Sequence, residues 1–364
     1  MVTEHAAEPA PPTLTISEPR DLVAVIPYLL GYHPSDTLVV IGLRGSPARA
    51  RLTFRCDLAE DAAGYAADLA GRVAGALGAH GCDSALAAAY APAVRATPCL
   101  DAVRAGLATS GITVREALRV TGGRYWSYLC ADPDCCPGDG VPADPVRSPV
   151  AAAAVLSGLT AWRDRDQIRR YLAPVGGAQR ERVRQATPAA EQRGAELRGR
   201  NPAPERDPFG AAFRTEGVRV VRAAIAAARR GALPTGPRRI AWLGVLLSCV
   251  RVRDEAWARI GSDAGDRTAG SAHVRLWRQV LRNVEPAYAA APGSLLAVAA
   301  WHAGDRALAE AALDEVAREH PEYSMACLVR QALRSGAPPG GYEPTPEWLE
   351  QASPVAGTPG ERPL

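Results

Sequence analysis

Residues 21–45, DLVAVIPYLLGYHPSDTLVVIGLRG, limit what this chain can fold into more than any other stretch. Residues 21–30 have the apolar spacing of a short helix interrupted by Pro27, and a tight polar loop follows. Residues 37–43 are almost continuously apolar, the pattern of a strand buried on both faces of its sheet. Such a strand needs helices layered over it, so this part of the chain is expected to be α/β. Residues 45–47 supply a turn, and residues 51–58 alternate polar and apolar side chains as a half-exposed partner strand, which predicts a hairpin.

The same reading extends in both directions. Residues 14–16 are expected to form a short first strand. Residues 62–77 and 99–108 read as helices, and residues 85–90, 113–120 and 124–130 as strands. Thr121-Gly122-Gly123 joins the last two strands, because glycine supplies the positive backbone angles of a tight hairpin. The expected sheet is therefore mixed. Residues 137–149 carry four prolines and read as an irregular connection. Beyond residue 150 no strand is expected. Helices are expected over 150–161, 164–172, 178–198 and 209–230, followed by shorter ones over 238–250, 253–260, 273–284, 294–301, 305–319 and 322–334. These must bury their apolar stripes against one another.

The fold class expected is thus an α/β N-terminal domain with a mixed sheet, followed by an all-α domain of stacked helical hairpins. The boundaries expected are a disordered leader over 1–12, an α/β domain over 13–148, arginine-rich connecting helices over 149–235, a helical-hairpin domain over 236–335 and a largely disordered tail over 336–364. Trp348 is a candidate to dock back from that tail.

Two elements of composition exclude whole function classes. The chain contains no lysine, so all 42 basic residues are arginine. A phosphate-loop NTPase, a pyridoxal enzyme and a protein kinase each need a lysine at the reacting centre, and are excluded in their usual forms. The N-terminus lacks the basic and apolar regions of a secretory signal, and no apolar stretch approaches the roughly 20 residues that span a bilayer. A cytoplasmic protein without a membrane partner is expected, and its eight cysteines are then expected as thiols. Net charge is only +3, but residues 160–239 hold 18 arginines against 8 acidic residues, an excess that could attract phosphates.

Four stretches carry a resemblance: the run over 21–45, Arg124-Tyr-Trp-Ser-Tyr-Leu-Cys130 with Cys135-Cys136, Arg253-Asp-Glu-Ala-Trp257, and Leu295-Leu-Ala-Val-Ala-Ala-Trp301-His-Ala-Gly-Asp305-Arg-Ala-Leu. Together they resemble the mainly actinobacterial family known as domain of unknown function 4192, over most of residues 13–335. The resemblance implies an organisation and no activity. The last helices also loosely resemble tetratricopeptide hairpins, with Gly304-Asp305 as the inter-helix turn, Ala309 and Leu313 inside and Pro321 closing the unit. The period is irregular.

Candidate chemistry is sparse. His33 with Asp36 could act as an oriented general base, with Asp21 nearby in sequence, although a turn role for Asp36 and a helix-capping role for His33 compete strongly. Cys130, Cys135 and Cys136 could converge on zinc. A structural zinc site usually takes four ligands in paired short spacings, and no second pair lies near, so small buried loop residues are the preferred reading. No cofactor is otherwise expected. Gly42-Leu-Arg-Gly45 opens no helix and reads as a hairpin turn, not a phosphate loop. No Gly-x-Ser-x-Gly elbow, His-Glu-x-x-His or calcium loop occurs. Trp242, Trp257, Trp277 and Trp301 read as core of the helical domain before ligand groove.

The first functional reading is an adaptor that binds another protein through its helical hairpins. The alternative is an enzyme or small-molecule sensor with a pocket in the α/β domain near Asp21, His33, Asp36 and the cysteine loop. Whether there is catalysis is left open. A weaker alternative places nucleic acid on the arginine-rich helices, where stacking aromatics are almost lacking.

Overall fold

The fold is described from a computed structural model, which places residues 14–144, 148–202, 204–205, 207–341 and 344. The expected leader over 1–12, the tail beyond 344 and Trp348 lie outside these residues. The chain divides into two compact units, Met1–Arg165 and Asp166–Leu364.

The first unit is a mixed sheet with helices on both faces. Strands β1 (Thr37–Arg44), β2 (Arg49–Asp57), β3 (Ser84–Tyr90), β4 (Thr113–Thr121), β5 (Arg124–Ser127) and β6 (Val141–Pro142) stand in the order β2-β1-β3-β4-β5-β6. β3 and β4 are parallel and the other neighbours antiparallel. The double-sided burial expected of residues 37–43 is met residue by residue. Leu38 and Val40 pack under α2 (Ala62–Ala79) and α3 (Ala93–Thr109), with Leu69, Val73, Leu77, Leu100 and Val103. Val39, Ile41 and Leu43 face α1 (Pro19–Leu30), with Leu22, Val23 and Ile26. The period of two along a strand makes this division.

Several local expectations are corrected. Residues 14–16 form no strand. The segment leads into α1, where the amides of Ser17 and Glu18 donate to Asp21 Oδ2 at 3.1 and 3.2 Å. α3 starts six residues earlier than the spacing suggests and accommodates Pro98. β5 ends at Ser127 instead of reaching Cys130, because Ser127 Oγ accepts the amides of Leu129 and Cys130 and turns the chain. Within the proline-rich stretch, Val141 pairs with Tyr125 as a short sixth strand. The Gly122-Gly123 hairpin is as expected, with φ of 57° and 72°. Helix α4 (Pro149–Leu156) is shorter than expected and packs on α1.

The second unit is helical throughout among the described residues: α5 (Arg165–Leu172), α6 (Gly177–Gly199), α7 (Gly210–Arg229), α8 (Pro237–Leu247), α9 (Val250–Ser262), α10 (Arg267–Asn283), α11 (Ala290–His302), α12 (Arg306–Glu319) and α13 (Ser324–Arg334). α11 is buried on every side from Ala290 to Ala300. A helix apolar all round belongs at a centre, and α8, α9, α10, α12 and α13 all pack against it. Asp305 caps α12 by accepting the Leu308 amide at 2.9 Å, and Ala309 and Leu313 are fully buried. Trp242, Trp257 and Trp277 are core residues, while Trp301 is half-buried.

Buried polar groups pin the helices. Glu255 Oε1 accepts from Arg222 at 2.6 Å and from Arg259 at 2.9 Å. His273, on α10, is 1% exposed, with Nε2 2.8 Å from Asp263 Oδ2 and Nδ1 without a partner among the described residues. Protonating Nδ1 would bury an unsatisfied donor, which agrees with a pKa lowered by burial despite Asp263. Burial would raise the Asp263 carboxyl, but its bonds to Arg229 and His273 outweigh that and hold it low. The sign follows. Below the ordinary histidine value of 6.5 the unfolded chain takes up a proton that the folded chain refuses, so stability is full above that pH and declines beneath it. Urea midpoints at pH 7.5 and 5.5 check this. The midpoint is expected to be lower at pH 5.5, and the difference smaller in His273→Asn; an unchanged difference would remove His273 as its source.

Candidate binding pocket and thiol cluster

The three polar residues singled out in the first unit are not brought together. Asp21, buried at the third position of α1, completes a capping box with Glu18, and Ser148 Oγ approaches its other oxygen at 3.4 Å. Its carboxylate is occupied by the helix start and not by chemistry. His33 and Asp36 lie past the opposite end of the same helix, about 13 Å farther along its axis at 1.5 Å per residue. His33 is exposed, and its amide donates to Trp162 O at 2.9 Å. Asp36 adopts φ of 46°, a left-handed conformation that aspartate tolerates better than most residues. It accepts Arg95 at 2.6 Å, and its carbonyl accepts the Leu58 amide at 2.7 Å. These contacts make Asp36 a corner post between α1, β2 and α3. A shallow cavity of about 700 Å³ does lie in this unit, along α3 and the start of β4, and includes none of the three residues.

The cysteines do converge. The Sγ atoms of Cys130, Cys135 and Cys136 all lie within 4.8 Å of one another, in the loop that joins β5 to β6. Both feet of the loop are tied down. Arg124 donates to Asp139 Oδ2 and Gly140 O, each at 2.8 Å, and Trp126 Nε1 donates to Gly138 O at 3.0 Å. Gly140, at φ of 82°, lets the Trp126 ring press on the backbone where a Cβ would sit 2.5 Å away. The tip is closed by the Cys136 amide on Asp132 O at 2.8 Å. The Asp132 backbone N–H and the neighbouring thiols hold Cys130 below the usual thiol range. Burial first, then the other two sulfurs, push Cys136 up to about 12, and Cys130 raises Cys135. Three thiols this close are a donor set that could hold a metal ion. The remaining cysteines are dispersed: Cys82, Cys99 and Cys249 are buried, and Cys56 and Cys327 lie elsewhere at the surface.

A second site lies in the helical unit. A cavity of about 450 Å³ opens between α6, α7 and α8, with Val220, Ala223, Ala224, Ala227 and Leu243 along its apolar lining. Its polar lining comprises Arg193, Arg219, Arg238, Arg239 and a single acid, Glu216. Glu216 accepts Arg193 at 2.7 Å and Arg219 at 2.9 Å, so it fixes two of these arginines. Arg238 and Arg239 are exposed in the first turn of α8, without an acidic partner among the described residues. Trp242 lines the wall, with Phe213 edge-on at 6.2 Å and the Arg193 guanidinium 4.5 Å over its ring. Its indole N–H is buried without a hydrogen-bond partner among the described residues.

The family model described as "Domain of unknown function (DUF4192)" matches residues 19–340. The chain belongs to the DUF4192 family. The match spans both units, including the thiol loop and the arginine pocket. No curated protein and no solved structure matches the chain. No described helix is long and apolar enough to cross a membrane.

The pocket was only partly visible in the sequence. The arginine excess over 160–239 marks the right region, and Trp242 stands among the notable tryptophans. Nothing in the spacing from 193 to 243 says that these arginines meet around one cavity.

Proposed function

We propose that this DUF4192 member is a protein-interaction module whose helical unit takes up an acidic, apolar-faced segment of a partner protein in the α6–α7–α8 pocket. The carrying observation is the pairing, in one cavity, of an alanine-rich lining with Arg238 and Arg239, which lack an acidic partner among the described residues. The apolar lining accommodates one or two side chains, and the arginines meet carboxylates in two-pronged hydrogen bonds. Gly236, the N-cap of α8, supplies no side-chain cap, so the positive end of the helix dipole adds to the arginine charge of the pocket.

This reading is favoured over nucleic acid by the composition of the pocket and by the pairing of nearby arginines. Arg184 pairs with Glu181, Arg222 with Glu255 and Arg229 with Asp263, which reduces the charge left to track a phosphate backbone. The enzymatic reading is left without support from Asp21, whose carboxylate is committed to the cap of α1.

Dye-labelled peptides test the proposal by anisotropy: one alternates glutamate with leucine and phenylalanine, and its control has serine in place of glutamate. The acidic peptide is expected to bind, more weakly as salt shortens the Debye length below its value of about 10 Å at 0.1 M. Arg238→Glu/Arg239→Glu is expected to weaken binding at least about tenfold, as loss and reversal of complementary charge requires. Equal binding of both peptides, or of neither, would contradict the proposal.

A further inference from the structure

Three thiols within 4.8 Å of one another form a donor set with few uses. A disulfide needs sulfurs at about 2.05 Å, and all three cysteines are free. A bond between the adjacent Cys135 and Cys136 would also close a small strained ring. Metal coordination places the sulfurs farther apart. At the usual Zn–S distance of about 2.3 Å, two thiolates on a tetrahedral ion sit about 3.8 Å from each other. The cluster is therefore within about an ångström of the spacing at which three thiolates share one tetrahedral ion.

The loop around the cluster is built to hold such a group. Its feet are fixed by Arg124 and Trp126, while Ser127 Oγ donates to Glu116 Oε1 at 2.8 Å and accepts the Leu129 and Cys130 amides. Its middle has almost no apolar content of its own, and Leu129 is 42% exposed. The Cys136 amide on Asp132 O and the three thiols bring Cys130, at the start of the loop, close to Cys135 and Cys136 at its tip.

We propose that Cys130, Cys135 and Cys136 bind one soft divalent cation of the zinc class through three thiolates, the fourth position being open to water or to a ligand from outside the chain. On binding, each thiol gives up its proton to solvent as its sulfur–metal bond forms, and no electron is transferred. Donor softness selects the ion: three sulfurs and no carboxylate disfavour magnesium, calcium and manganese. This site is independent of the arginine pocket, which lies in the other unit, so failure of either proposal leaves the other standing.

The test uses the full-length protein, reduced and stripped of metal. Zn²⁺ is titrated against a chromophoric chelator, Cd²⁺ binding is followed by its thiolate charge-transfer absorption, and iodoacetamide labelling is mapped by mass spectrometry with and without Zn²⁺. One equivalent is expected to bind. Zn²⁺ is expected to protect Cys130, Cys135 and Cys136 from alkylation while Cys327, exposed elsewhere, stays reactive. Serine at any of the three is expected to lower affinity at least about 100-fold, above the 10–100-fold that outer-shell partners carry, and Cys327→Ser to leave it unchanged. Wild-type protein that binds Zn²⁺ no better than the triple serine variant would overturn the proposal. So would an alkylation pattern that Zn²⁺ does not alter, a reading that needs no variant to fold.

Discussion

Arg253→Met is expected to destabilise the second unit by about 3–5 kcal/mol, the usual cost of removing one partner from a buried ion pair. Arg253 and Asp254 are consecutive on α9 and only 7% and 5% exposed. Nε and Nη2 of Arg253 both donate to Asp254 Oδ1, at 2.8 and 2.6 Å, and Nη1 donates to Tyr323 Oη at 3.2 Å. Burial pushes the Asp254 carboxyl up, and Arg253 opposes it. Methionine replaces the aliphatic stem but leaves Asp254 buried without its cation and Tyr323 Oη without its donor. The loss is thus a desolvation cost, not a lost attraction. It follows that Arg253→Met/Asp254→Leu, which removes both charges together, recovers most of the stability, because apolar pairs often replace buried ion pairs at little cost. Urea unfolding of the wild type and both variants measures this. A double variant as unstable as Arg253→Met would show that the residues act through separate contacts.

Trp277→Ala is expected to cost a similar amount, about 3–5 kcal/mol, for a different reason. Trp277 is wholly buried on α10, a helix that packs against both α7 and α11. Truncation removes its apolar area and leaves a cavity that two rigid neighbours cannot close. Its indole N–H has no partner among the described residues, so Trp277→Phe removes an unsatisfied donor along with some volume and is expected to cost much less. Trp301→Ala, at a half-buried position, should also fall well short of Trp277→Ala. Equal losses at Trp277 and Trp301 in the same urea experiment would contradict the burial argument.

The sequence made the first unit's architecture readable where local chemistry and tertiary role coincide. Residues 37–43 have no polar face to expose, so they must be a strand covered on both sides. Gly122 and Gly123 both need positive φ, so they must turn a hairpin. The failures occur where context decides. Residues 14–16 are apolar enough for a strand, but the chain next to them is drawn into the cap of α1. Val141 pairs as a strand despite standing beside Pro142, because an edge residue with one partner needs few backbone donors.

The sites show the same division. The spacing of Cys130, Cys135 and Cys136 was visible, but their convergence depends on a loop closed by Arg124, Trp126 and Ser127. Asp21 stood as a candidate site residue near His33 and Asp36, because sequence proximity cannot distinguish a carboxylate spent on a helix cap from one facing solvent. The pocket arginines come from α6, α7 and α8, and only the packing of those helices brings them around one cavity. The Arg253-Asp-Glu-Ala-Trp257 stretch, by contrast, carried the family resemblance and is the electrostatic knot of the helical core.

Site-specific photo-crosslinking asks whether the helical unit engages a partner through its arginine-rimmed pocket. The chain has no lysine, so amine-reactive reagents cannot report on it from its side chains. A benzophenone amino acid is placed at Ala224, in the pocket lining, and in a control at Val94, 79% exposed in the first unit. Both proteins are irradiated in a lysate of the native host. An adduct is expected from Ala224, absent from Val94, whose crosslinked peptide is rich in acidic and apolar residues, and which is lost in the Arg238→Glu/Arg239→Glu background. An adduct that persists after the charge reversal, or that forms equally from Val94, would contradict it.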